Sequence, residues 1–290
     1  MQHKYTTTIS AISVLAVLLL GASSGKSMAS CNYSGNAPSG SYAPGYVSGN
    51  QRTEVRKAKL QVGPSSTTCY SQSQIKNSSS KNDHFYTTSD GSVLYFYESG
   101  DSNRSELREE REFKISENTS SSRYIRINSK FVSKSSNLGK AIFAQVHVDE
   151  SGQKGPLAAL KWAAAGEQKD AYNNSPEGIY LSLRRTMNCS GTDCFTHIYV
   201  GNYDETFKTY RLGLFNGKLR LKVNNSYINL PRKDIYDEDG DGNKSEVKTG
   251  SSIDLRNNAD WKNKKLYLKT GVYINTDGSA KVATKNLKFY

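Results

Sequence analysis

Five residues, Arg-[Ser/Thr]-Glu-[Leu/Val]-Arg, are written twice in this chain, at 52–56 and at 104–108. In an extended segment alternate residues face the same way. In the second copy Arg104, Glu106 and Arg108 therefore share one face, and Ser105 and Leu107 the other. Two guanidinium groups flanking a carboxylate make a ladder that can hold acidic groups bidentately while the glutamate fixes the guanidinium planes. Two other stretches are built alike. In AIFAQVHVD, Ile142, Ala144, Val146 and Val148 form a dry side, with Phe143, Gln145, His147 and Asp149 opposite. In KLYLKTGVYIN, Leu266, Leu268, Thr270, Val272 and Ile274 point to a core. Tyr267, Lys269, Gly271, Tyr273 and Asn275 then form a polar, aromatic, cationic strip suited to a sugar acid. A lone Gln or His on a strand is ordinarily a hydrated surface residue, but three strands that each set a dry face against such groups argue for one shared site. His84, in KNDHFY, and His197, after a cysteine-bounded loop, lack comparable neighbours.

Short alternating runs between turn signals position these residues: AKLQV, SVLYFYE, RYIRINSKFV, AIFAQVHVDE, IYLSLRR, THIYVGNY, YRLGLFNGKLRLKV, KLYLKTGVYIN and AKVATKNLKFY. They predict an all-β fold, a sandwich or jelly roll. Asn216-Gly217 predicts a two-residue hairpin, because both tolerate the positive φ of a type I′ turn. Only PLAALKWAAAGEQKDA admits a helical reading. Residues 30–50, rich in Gly, Ser, Pro and Asn, read as a lead-in, and 51–290 as one domain.

Residues 1–29 have the build of a secretory signal: Lys4, then the apolar AISVLAVLLLGA, then small residues ending SMA. Export is expected, with cleavage after Ala29. Lipid attachment at Cys31 is disfavoured by Lys26 between that cysteine and the apolar run. The chain has 39 Lys plus Arg against 27 Asp plus Glu; without Lys4 and Lys26 the balance is 37 against 27, or +10. That charge attracts polyanions, whether nucleic acid, anionic lipid or acidic polysaccharide. Four cysteines in an exported chain favour disulfides; proximity pairs Cys189 with Cys194 and Cys31 with Cys69, among three possible connectivities.

The segments RSELRE at 104–109, QVH at 145–147 and YLKTGVYIN at 267–275 resemble, in order, the three signature segments of the polysaccharide lyase family 7 alginate lyases. The third segment keeps Tyr267, Lys269, Gly271, Val272 and Tyr273 and departs at Leu268, Thr270, Ile274 and Asn275. The likeness runs from about residue 55 to the C-terminus and chooses between the two copies of the opening pattern. The family's first segment follows a strand like DGSVLYFYE and precedes Gln-X-His by some forty residues. Arg104 lies 41 residues before Gln145 and Arg52 lies 93, so the copy at 52–56 is expected at the entry of the N-terminal strand.

The resemblance implies a β-jelly roll of two antiparallel sheets with a concave substrate groove, and β-elimination on a 4-O-linked uronate polymer. Arg104 and Gln145 would neutralise the uronate carboxylate, which otherwise leaves the neighbouring C5 proton barely acidic. Tyr273 would protonate the leaving oxygen; His147 would take the proton or keep Tyr273 ionised. Arg108, Lys269, Tyr267 and Asn275 would bind neighbouring sugars, and Glu106 would orient the arginines. Val146 inclines the expectation toward mannuronate. An acidic polysaccharide is the expected partner, with no nucleic acid, membrane, cofactor or metal, and a monomer is expected. DEDGDGN at 237–243 resembles a calcium loop but carries Lys248 where an EF-hand needs Glu, so it is expected to be a solvated turn. The rivals are a non-catalytic carbohydrate-binding jelly roll and a lyase for another polyuronate such as glucuronan.

Overall fold

Alternating strands must bury their dry faces against one another, and in the computed structural model they do so as two stacked antiparallel sheets. The structure describes residues 37–45, 49, 51–64, 68–75, 83–116, 120–149, 155–170, 173–187, 194–231, 249–256 and 258–290. The predicted signal, Cys31, Cys189 and the 237–243 loop lie outside them.

The chain opens with α1 (Arg52–Val55), β1 (Ala58–Gly63), β2 (Thr68–Tyr70), α2 (Gln72–Ile75), β3 (Phe85–Thr87) and β4 (Leu94–Ser99). It continues through β5 (Arg104–Glu109), β6 (Phe113–Lys114), β7 (Arg123–Lys134), β8 (Lys140–Val148), β9 (Pro156–Ala163), β10 (Gly178–Arg184) and β11 (Phe195–Gly201). Then come β12 (Lys208–Phe215), β13 (Lys218–Val223), β14 (Ser226–Tyr227), β15 (Leu230–Pro231) and β16 (Thr249–Gly250). The last are β17 (Ile253–Asp254), β18 (Lys265–Ile274) and β19 (Ser279–Phe289). One sheet runs β11-β10-β9-β8-β18-β5-β1-β2, with β6 on β18; the other runs β14-β13-β12-β7-β19-β4-β3, with β17 on β13. Leu60, Leu107, Val146, Leu160, Leu181 and Leu268 of the first sheet share one core with Phe96, Ile125, Leu212, Leu221 and Val282 of the second.

The Asn216-Gly217 hairpin forms as read, with φ of 52° and 72°, joining β12 to β13. PLAALKW is the strand β9, not a helix. Seven of its eight residues are buried, so it packs on both faces and shows no period of two. The first copy of the opening pattern forms α1 and acts as a clamp. Gln51 accepts from Leu287 N–H at 3.2 Å. Glu54, 7 % exposed, accepts from Phe289 N–H at 2.8 Å, tying the start of the domain to its last strand. Part of the lead-in is also anchored, through the paired bonds of Tyr42 and Thr87.

Candidate active site

β18 lies at the middle of the first sheet, between β8 and β5. Tyr273 stands opposite Arg104, Gly271 opposite Glu106, and Lys269 opposite Arg108. Across the other edge Lys269 faces Gln145 and Tyr267 faces His147. All are turned away from the core that Leu107, Val146, Leu268 and Val272 fill. Arg104, Gln145, His147 and Tyr273, drawn from three distant segments, therefore share one face. That face is recessed: Gln145 is 2 % exposed, Lys269 1 % and Glu106 0 %.

Glu106 is the hub. Gln145 Nε2 donates to its Oε1, Lys269 Nζ lies 3.4 Å from Oε2, and Arg104 Nη1 lies 3.9 Å from the same oxygen. A single carboxylate thus faces two cations and leaves one positive charge in excess. Gly271 makes room for the hub. Its φ is +150°, and an added Cβ would stand 2.1 Å from the Ser105 carbonyl oxygen, so only glycine lets β18 approach β5 here.

His147 is held by its neighbours on the other flank. Nδ1 lies 2.9 Å from the Val148 carbonyl oxygen, which can only accept, so Nδ1 carries the proton and Nε2 keeps its lone pair. The Tyr267 hydroxyl is 3.0 Å from Nδ1, and the two rings stack at 5.1 Å. Burial, then the charges of Lys269, Arg104 and Arg108, lowers the His147 pKa to about 3. The imidazole is accordingly neutral at neutral pH.

Several sequence expectations change. Tyr267, read as a sugar contact, is 6 % exposed and lies between the Arg108 guanidinium, 3.9 Å from its ring centroid, and His147. Arg108 is already engaged, at 3.1 Å from Asp149 and 3.4 Å from Glu112. Lys269 is held by Glu106, while Asn275 is exposed just past the end of β18. Tyr273 lies beneath Arg104, whose guanidinium is 4.4 Å from the ring centroid. Strict alternation also fails in β8. Phe143 and Ala144 both enter the core, because β8 bulges there against β9: Ile142 pairs with Lys161 and Ala144 with Leu160, leaving Phe143 as the extra residue. Phe143 is therefore a core residue, packed edge-on against Phe131 and Tyr210, and Ile142 takes the outward side. Thr270 donates to the Phe143 carbonyl at 3.0 Å, satisfying a group at the bulge. Val146 lies in the core at 0 % exposure.

The same face extends over β9 to β11, where reading for isolated motifs found nothing. Lys161 is 6 % exposed, and burial, with Lys140 nearby, lowers its pKa to about 7. His197, which lacks comparable neighbours along the sequence, has Nδ1 2.9 Å from Ser182 Oγ; burial, then Lys161, Lys140 and Arg185, lowers its pKa to about 3. The signal was alternation in IYLSLRR and THIYVGNY, which sets Ser182 and His197 side by side. His84 is elsewhere, beside Glu98 at 3.2 Å. Cys194 is buried, and its predicted partner lies outside the described residues, as do Cys31 and the Cys69 side chain. Among the described residues no group of three or more His, Cys, Asp or Glu could hold a metal, and no helix is long and apolar enough to cross a membrane.

The alginate lyase family model matches residues 53–290. The chain belongs to this family. Solved structures of family 7 alginate lyases share its fold. Alginate lyase A1-II′ is 19% identical, with a TM-score of 0.58 over 83% of this chain and 97% of that one. Alginate lyase AlyC3 is 14% identical, with a TM-score of 0.61 over 87% and 96%. Alginate lyase PA1167 from Pseudomonas aeruginosa is 18% identical, with a TM-score of 0.57 over 81% and 98%. A variant of A1-II′ has been solved with the substrate GGMG, and AlyC3 with dimannuronate. No curated protein matches the sequence at a significant level. The family 7 jelly roll and a polysaccharide lyase activity are thus properties of this chain, and the two antiparallel sheets are those expected of it.

Proposed function

We propose that this family 7 lyase is exported and cuts alginate internally by β-elimination, leaving an unsaturated sugar at each new non-reducing end. The observation that carries the reading is the recess around Glu106, where Arg104, Gln145, His147 and Tyr273 converge with one positive charge in excess. A uronate carboxylate would balance that charge. Arg104 and Gln145 would then stabilise the second negative charge that develops as C5 loses its proton; losing one such donor typically costs about 3 to 4 kcal/mol of transition-state stabilisation. His147 Nε2, unprotonated, would accept that proton, or would accept the Tyr273 hydroxyl proton so that the tyrosinate takes the C5 proton and passes it to the leaving oxygen. The C5–H pair becomes the C4–C5 double bond, the C4–O bond breaks, and Tyr273 protonates the departing oxygen. Tyr267 would act through His147 by fixing its ring.

A mannuronate preference rests on Val146, which faces the core and would act only through the placement of Gln145 and His147. Substrates of relatives of both kinds fit the same fold. The test is ultraviolet absorbance of unsaturated product from separate poly-mannuronate, poly-guluronate and glucuronan. Alginate blocks should respond and glucuronan should not; the reverse defeats the reading. Tyr273→Phe should abolish product formation while polymer binding persists. Turnover like that of the parent would remove Tyr273 from the mechanism, and binding with no turnover in the parent would favour a carbohydrate-binding module.

A further inference from the structure

The outer face of the second sheet carries a pattern that folding alone does not favour. Lys222 of β13 pairs directly with Arg211 of β12, Arg211 with Arg126 of β7, and Arg126 with Lys288 of β19. Four cations thus stand in one row across four neighbouring strands, spanning about 14 Å at ordinary strand spacing. Their chain neighbours Leu212, Leu221, Ile125, Ile127, Leu287 and Phe289 fill the core, so the row faces outward. Like charges directly opposite one another in a sheet are destabilising.

Among the described residues none of the four has an acidic partner within ion-pair distance, although cations elsewhere on the molecule do, such as Arg108 with Asp149 and Lys57 with Glu54. Arg126 Nε and Arg211 Nε are buried without a hydrogen-bond partner. The row is flanked instead by aromatic rings. Lys222 Nζ lies 4.0 Å from the Tyr227 ring centroid and Lys288 Nζ 5.0 Å from that of Tyr290. Such contacts orient an ammonium group without neutralising it.

We propose that this row is a second, non-catalytic binding site for an acidic polysaccharide, the polymer that the recess on the opposite sheet cuts. The proposal rests on the reading of that recess as a uronate site. Carboxylates repeated along a chain match a straight row of cations, and arginine forks take them bidentately. Single-stranded nucleic acid fits less well, because binding it calls for open ring faces on which bases stack. Here Tyr124 is stacked against Phe215 at 4.4 Å and against Tyr290 at 4.2 Å, so these rings cover one another. A lipid surface would want a cluster of exposed apolar side chains, and Tyr227 is the one large exposed ring beside this row. A polymer held on both sheets would keep the enzyme on its substrate between cuts, raising the effective concentration of cleavable bonds.

The test uses the full chain and the variant Arg211→Ser/Lys222→Ser/Lys288→Ser, with Arg126→Gln/Lys288→Gln as a milder second. Retention on calcium-alginate beads should fall by about tenfold or more, and KM on long polymer should rise, when one of two linked sites is removed. The rate on a soluble uronate tetramer, too short to reach both faces, should be unchanged. The melting temperature should not fall, since removing like charges relieves repulsion. Equal bead retention by parent and variants overturns the proposal, as does parent binding to single-stranded DNA or phosphatidylserine vesicles but not to beads. Failure of the parent to release unsaturated product from alginate instead counts against the recess, a result separate from bead retention.

Discussion

The chemistry at His147 turns on which of its nitrogens carries the proton. The Val148 carbonyl at 2.9 Å assigns it to Nδ1, and burial among cations holds the ring neutral, with a pKa lowered to about 3 from 6.5. An unfolded chain takes up this proton as pH falls through 6.5, whereas the folded one does not until about 3. The stability contributed here is therefore complete above 6.5 and is lost as pH falls toward 3. In the free enzyme, the His147 ring signals followed by NMR should stay constant from about pH 8 to about pH 5. A transition near 6.5 would mean that the ring is solvated and the recess open. A bound uronate would oppose the Lys269 and Arg104 charges and shift the transition upward. The sequence showed His147 beside Gln145 on a wet face, but not that Tyr267 would hold it. That contact depends on the register between β8 and β18, which no single segment encodes.

At the scale of elements, the approach of β18 to β5 brings Arg104 to Tyr273 and Arg108 to Tyr267. Gly271 permits it, because an added Cβ would meet the Ser105 oxygen at 2.1 Å. Gly201 has a similar φ of +148° but open space around it, so the pair separates backbone strain from crowding. Gly201→Ala should cost only the strain of its φ, about 1 kcal/mol. Gly271→Ala should cost more than about 3 kcal/mol or prevent folding, as read by urea denaturation. Equal midpoints for the two variants would show that close approach is not what Gly271 supplies. Strands and hairpins were legible because alternation and Asn-Gly are local signals. The β8 bulge was not: counting by parity assumes unbroken pairing, and one extra residue moved Phe143 into the core and Ile142 out of it. β9 misled for a related reason, since a strand buried on both faces has no polar side to reveal its period.

At the scale of the whole molecule, the net charge of +12 includes cations on two faces with different surroundings. In the recess, Lys269 and Glu106 are at 1 % and 0 % exposure and respond little to dissolved ions, whereas the cations of the second sheet stand at the surface. Composition announced an attraction for polyanions, but not its distribution, because the row from Lys222 to Lys288 is assembled from segments up to 162 residues apart. Surface charges more than about 8 Å from a ligand are largely screened at physiological ionic strength, while buried partners are not. Raising salt should therefore raise KM on long alginate several-fold through weaker capture, and leave kcat nearly constant. Initial rates at saturating and limiting polymer, measured across a salt series, separate the two. A fall in kcat matching the change in kcat/KM would place the salt-sensitive step inside the recess and contradict this division of charge.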